Sequence, residues 1–166
     1  RSFFRQEHNK PPHFPEIPRE FVAFLKQHPS DPAKPFLYEL AHYEWLELHL
    51  EKPTTEISTA PRCHADQLLT ELPHVSPLVK LQGYHYPVRQ IKKAVQPATA
   101  LKQPIFLLVW RDATYQVHFA ELNPFSALLL ESLMNNKNQT GEQILYELAK
   151  QHNHPDINQF IEFGHQ

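Results

Sequence analysis

The sequence predicts an α+β fold, with helices first, then a small antiparallel sheet, then helices again. Three observations predict it. Apolar residues recur at helical spacing up to about residue 50, strand-like runs and alternation take over between 78 and 119, and helical spacing returns after Asn123. Sixteen prolines against three glycines punctuate the chain, so element ends are written mainly by proline.

Residues 1–9 read as the tail of a helix halted by Lys10-Pro11-Pro12. Ile17-Pro18-Arg19-Glu20 opens the next helix, because a proline in the first turn removes an N–H that has no partner there. Phe21, Val22, Phe24 and Leu25 form its apolar side, and the His28–Pro32 stretch ends it. A third helix runs from Pro35 to about Leu50. Its apolar residues (Phe36, Leu37, Leu40, Tyr43, Trp45, Leu48 and Leu50) cover more than one stripe, which predicts packing on several sides. Residues 51–77 are rich in Pro, Thr and Ser and read as a linker with one short helix near 66–72.

Residues 78–88 hold β-formers in partial alternation. The run Ile105–Trp110 and the alternating Tyr115–Phe119 flank Arg111-Asp112-Ala113-Thr114, which has turn chemistry, so the two form a hairpin. Asn123 is an N-cap with Pro124 at the first helical position, and Phe125, Leu128, Leu129 and Leu133 keep helical spacing. Thr140 through Gln143 fits a capping box ahead of Ile144, Leu145, Leu148 and Ala149. Pro155 opens a last short helix. The expected organisation is a helical domain over 1–52, a linker over 53–76, and a winged-helix-like α+β domain over 77–166. Because the chain begins in what reads as mid-helix, the first part is expected to be the C-terminal piece of a larger helical domain.

Composition excludes several functions. A net charge of -2 supplies no global attraction to nucleic acid or anionic membrane. No apolar run reaches the ~20 residues of a membrane span, and the N-terminus lacks a signal-peptide pattern. The single cysteine, Cys63, rules out an internal disulfide, so the cytoplasm is the expected compartment. Three glycines cannot build a glycine-rich phosphate loop.

Catalytic and metal motifs are thin. Glu39-Leu-Ala-His42 places a carboxylate and an imidazole on one helix face, as di-iron bundles do. Such a site needs a second copy and further carboxylates, and the other copy, Glu162-Phe-Gly-His165, sits at the chain end with a glycine inside it. The pair therefore reads as an interhelix contact. Cys63-His64 has no orienting third residue, and His152-Asn-His154 lacks companions at ligand spacing. Neither an enzyme site nor a cofactor is expected.

The segments RSFFRQEHNKPPHFPEIPREFVAFL and PFLYELAHYEWLELHL resemble the HvfC-type proteins, maturation partners of ribosomally synthesised, post-translationally modified peptides (RiPPs). The second half is similar to the same family in order and content: Ser76-Pro77, Tyr84-His85-Tyr86-Pro87-Val88, Trp110-Arg111-Asp112, Val117-His118-Phe119, Leu122-Asn123-Pro124 and Thr140-Gly141. The likeness covers essentially the whole chain, and the family carries a further helical segment before this start, so the chain looks N-terminally truncated. The resemblance implies a bacterial, non-catalytic subunit that pairs with a multinuclear iron oxidase acting on cysteines of a precursor peptide. Relatives also carry an older description as putative DNA-binding domain proteins.

Strand physics offers a way to hold such a peptide. An extended chain adds to an exposed sheet edge through main-chain hydrogen bonds and drops side chains beside it. The expected edge is Tyr115, Val117 and Phe119, with Ile144 and Leu148 of the 140–150 helix as groove wall. His42, Glu44 and Trp45 are expected at the interface that positions the domains or meets the oxidase. The alternative is a DNA-binding transcription regulator using the winged-helix-like domain. It is disfavoured because the 124–134 helix has no Lys or Arg and the 140–150 helix has only Lys150 against Glu142 and Glu147.

Overall fold

The computed structural model describes residues 16–28, 32–51 and 67–164. Two helices come first: α1 (Ile17–Gln27) and α2 (Leu37–Glu51). Strand β1 (Val79–Tyr84) follows, then a short 3-10 turn (Val88–Gln90), β2 (Ile105–Arg111) and β3 (Val117–Leu122). Three helices close the chain: α3 (Pro124–Asn135), α4 (Gly141–Gln151) and α5 (Ile157–Gly164). The expected α+β class is borne out. The first nine residues, Cys63-His64 and most of the 53–76 segment lie outside the described residues.

The sheet is antiparallel in the order β1-β2-β3. Strand β2 is apolar on both faces, without the alternation of a half-solvated strand, because both of its faces are covered. Its odd-numbered residues point to α2, where Leu107 and Val109 join Leu46, Leu50, Tyr84 and Val88 in the main hydrophobic cluster. Helix α3 lies across all three strands from the other side. Helix α2 is apolar around most of its circumference for the same reason. It packs on α1 with one side and on the sheet with another, as its sequence predicts.

The helix starts follow their capping residues. Asn123 Oδ1 accepts from Ser126 N–H at 2.8 Å with Pro124 behind it. At Thr140 the capping box is complete: Gln143 N–H donates to Oγ1 at 3.3 Å, and Thr140 N–H donates to Gln143 Oε1 at 2.9 Å. Gly141 is buried under the 67–71 turn, and Glu142 N–H donates to Leu69 O at 2.9 Å. A Cβ at Gly141 would collide with the Leu68 carbonyl oxygen. Gly→Ala in an open helical position stabilises by up to about 1 kcal/mol. Gly141→Ala should instead destabilise by about 1–3 kcal/mol, the usual cost of overpacking, so the sign of the change in urea midpoint decides the matter.

Candidate peptide-binding edge

Two hydrogen bonds fix which backbone groups of the sheet face outward. Arg111 N–H donates to Leu78 O at 3.3 Å, and Asp112 N–H donates to Gln116 O at 2.9 Å. Bonded pairs alternate along an antiparallel ladder. Odd-numbered residues of β2 therefore bond to β1, and even-numbered residues bond to β3. On β3 that assigns His118, Ala120 and Leu122 to β2, their partners being Trp110, Leu108 and Phe106. Val117, Phe119 and Glu121 turn their N–H and C=O groups away from the sheet.

The two borders of the sheet differ. On β1 the outward N–H of Val79 is taken by Ser76 O at 3.0 Å, so the chain covers part of that border itself. On β3, among the described residues, no backbone partner engages the outward groups of Val117, Phe119 or Glu121. Leu81 and Gly83 on β1 likewise have no backbone partner for their outward groups among the described residues, so both borders are open there, and β3 is the one that its own chain leaves open over its whole length.

Of the expected edge residues, Val117 and Phe119 lie on β3. Their side chains are half-buried against the main cluster, and the Phe119 ring sits 5.1 Å from Tyr43. Their side chains serve the core while their backbones face out. Tyr115 does not belong to the strand. It stands in the turn with a positive φ of 65° and is 59% exposed, with the Arg111 guanidinium 5.3 Å from its ring centre. Glu121 went unnoticed in the sequence because its side chain is polar; strand phase is the signal that locates it.

Asp112 builds this turn. Its Oδ1 accepts from Thr114 N–H at 2.8 Å, Thr114 Oγ1–H at 2.7 Å and Gln116 N–H at 3.0 Å. Its Oδ2 accepts from His118 Nε2–H at 2.6 Å, and the His118 ring stacks on Trp110 at 5.2 Å. The His118 hydrogen bond foremost, then those from Thr114 and Gln116, hold the Asp112 carboxyl well below the usual carboxylate range. A depressed carboxylate contributes stability above its ordinary pKa that is lost as acid protonates it, so the turn is at full strength at neutral pH.

Helix α4 does not form the expected groove wall beside β3. Ile144 and Leu148 are each 3% exposed and belong to the interior, where α4 packs on α3 and α5. The helix that follows β3 onto the sheet is α3, because Asn123-Pro124 starts it immediately after the strand. An open cleft of about 510 Å³ lies on the other side of α4, lined by Asn138, Gln139, Glu142, Gln143, Tyr146, Glu147 and Ile161.

The Glu39–His42 pair is engaged by the end of β1. Glu39 Oε2 accepts from Tyr86 N–H at 2.8 Å, and Oε1 lies 3.6 Å from His85 Nδ1. His42 Nδ1 lies 2.9 Å from the Tyr84 hydroxyl, and Tyr43 meets the Tyr84 ring edge-on at 6.3 Å. Two of the motifs that carry the family likeness, ELAHYEW and YHYPV, are thus the two sides of one joint. Among the described residues, no group of three or more His, Cys, Asp or Glu is placed to hold a metal. The second copy, Glu162–His165, lies outside the described side chains. Of the expected partner-interface residues, His42 is therefore half-buried in the joint, and Trp45 is half-buried against the cluster with His49 stacked on it at 4.9 Å. Glu44 is exposed.

Burial foremost, then the nearby Lys26 cation, lowers the His42 pKa below 6.5, while Glu39 opposes them. Burial also raises the Tyr84 hydroxyl, which stays a donor at neutral pH and fits a neutral imidazole acceptor. A histidine with a lowered folded pKa contributes stability above its unfolded value that is lost as pH falls below it. Wild type should therefore lose more stability than His42→Gln between pH 7 and pH 5, measured by urea unfolding across that range. Parallel curves would exclude the coupling.

Among the described residues, no helix is long and apolar enough to cross a membrane. No curated protein matches the chain. The HvfC C-terminal domain matches residues 76–166, from the turn before β1 to the end of the chain. That span takes in the sheet with its β3 border and all three closing helices, more than half of the sequence, and on it the chain belongs to the HvfC family.

Proposed function

We propose that this chain is a non-catalytic adaptor in RiPP maturation. It holds a precursor peptide as an added strand on β3, and it docks a multinuclear iron oxidase through its helical part, in the cytoplasm. Family membership supports a role in RiPP maturation. The observation that carries the adaptor reading is the row of outward backbone groups on Val117, Phe119 and Glu121, in a strand whose Val117 and Phe119 side chains are already committed to the core. A border of this kind accepts many sequences, because main-chain groups supply the affinity. In the winged-helix-like reading of 77–166, α3 floors the sheet beside that border.

Non-catalytic standing is supported by how the polar residues are used. Among the described residues, Asp112 and His118 come closest to an acid–base dyad, and both are spent on the hairpin turn. Glu39 and His42 are spent on the α2–β1 joint. The oxidation itself then belongs to the partner, and this chain supplies position and orientation, which convert a bimolecular encounter into a held one.

Co-expression tests the proposal. The tagged chain, the oxidase and the precursor peptide should be recovered as one complex, and the chain alone should leave the peptide unmodified by mass spectrometry. Recovery of neither partner would remove the adaptor reading, and modification by the chain alone would remove its non-catalytic part.

A further inference from the structure

Between Glu71 and Asp112 the sequence holds no acidic residue but six cations: Lys80, Arg89, Lys92, Lys93, Lys102 and Arg111. The rest of the chain carries the other ten of the sixteen Lys and Arg against all eighteen Asp and Glu. The fold places four of the six in the β1–β2 connection, residues 85–104, and exposes all four.

That connection is held in shape by its own bonds. Val88, 2% exposed, anchors it in the core, and Leu101 N–H donates to His85 O at 2.7 Å to close its base. Lys92 and Val95 exchange backbone hydrogen bonds of 3.1 and 2.8 Å, which puts Lys93 and Ala94 at the tip of a tight turn. Arg89 reaches the Tyr43 hydroxyl. Among the described residues, the ion pairs are His85–Glu39 and His118–Asp112, so no carboxylate neutralises Lys92, Lys93 or Lys102. Two exposed aliphatic side chains, Val95 and Leu101, share the connection with these cations.

We propose that this connection is a docking surface for a short acidic segment of a polypeptide partner. Its carboxylates meet Lys92, Lys93 and Lys102, and an aliphatic side chain rests on Val95 and Leu101. Charge complementarity selects the partner, and the fixed loop spares the ordering cost that a floppy basic tail would incur. A nucleic acid fits less well. Glu39 lies at the base of the connection, and Glu44 and Glu47 flank the Tyr43 that Arg89 reaches. A long polyanion would meet those carboxylates where a few peptide residues would not. The surface differs in chemistry from the β3 border: it offers side-chain cations, whereas a strand added on β3 is held chiefly by outward backbone groups.

Fluorescence anisotropy on the full chain tests it with three labelled probes: a short peptide of Glu, Asp and Leu, its Gln and Asn counterpart, and a DNA duplex. The acidic peptide should bind about tenfold or more tightly than its amide counterpart at low salt, and this advantage should shrink as salt rises. The combined Lys92→Gln, Lys93→Gln and Lys102→Gln protein should lose the advantage, and Glu121→Pro should keep it. Equal binding of the two peptides, an advantage that survives the triple substitution, or tighter binding of the duplex than of the acidic peptide would overturn the proposal. None of these outcomes bears on strand addition at β3, which Glu121→Pro tests separately.

Discussion

Glu121→Pro is expected to weaken binding of the precursor peptide roughly thirtyfold, about 2 kcal/mol, by removing an outward donor and setting a pyrrolidine ring against the incoming strand. Phase makes the substitution selective. Glu121 turns its backbone away from β2, so the ladder of β3 with Phe106, Leu108 and Trp110 keeps its bonds. The Glu121 side chain is exposed, so no core contact is lost. Proline at the solvent side of an edge strand is tolerated by the fold for this reason. Glu121→Gln, which keeps the N–H, should bind within about twofold of wild type, since surface changes away from such features are small. If the proline variant is folded and binds like wild type, the peptide does not add to β3.

Arg111→Ala is expected to cost about 2–4 kcal/mol of stability, chiefly by stranding a buried acceptor and opening a void. Arg111 is 4% exposed on the α2 side of the sheet, and its Nη1–H donates to Leu50 O at 2.9 Å in the last turn of α2. Helix C-termini leave their final carbonyls without intrahelical partners, and a cation there also suits the helix dipole. Burying the guanidinium itself costs desolvation, which works the other way. The orphaned carbonyl and the lost side-chain volume outweigh that gain in the alanine variant. In Arg111→Met, where the volume is kept, the cost should be smaller by about 1–2 kcal/mol. Urea unfolding of the three proteins measures both differences, and an alanine variant as stable as wild type would show that the Leu50 bond contributes nothing.

What could be read in the sequence was the part that local chemistry decides. Asn123-Pro124 and Thr140…Gln143 state their helix starts within four residues, and both caps form as written. The apolar run 105–110 marked a strand, and the fold covers that strand on both faces. The start of β3 was two residues off because Tyr115, Val117 and Phe119 alternate as a strand does. Asp112 overrides that pattern by collecting Thr114, Gln116 and His118, and the turn it builds carries Tyr115 at positive φ, a conformation a bulky residue seldom takes. Hydropathy carries no trace of such a network.

Non-local matters were harder. The spacing of Ile144 and Leu148 marked a buried face correctly but could not say what would cover it, and α3 and α5 cover it where a groove beside β3 was expected. Glu39 and His42 were visible as a pair on one helix face. Their partners, Tyr84, His85 and Tyr86, lie more than forty residues away, and only the docking of α2 on the sheet brings them together. The β3 border itself follows from strand order, which no single strand's sequence states.

Residue-resolved amide hydrogen exchange on the chain, with and without the precursor peptide, tests the central claim most directly. Binding should slow exchange at Val117, Phe119 and Glu121, whose N–H groups face outward, and leave His118, Ala120 and Leu122, already bonded to β2, little changed. Protection that skips those three amides and appears along α4 and α5 instead would contradict strand addition at β3.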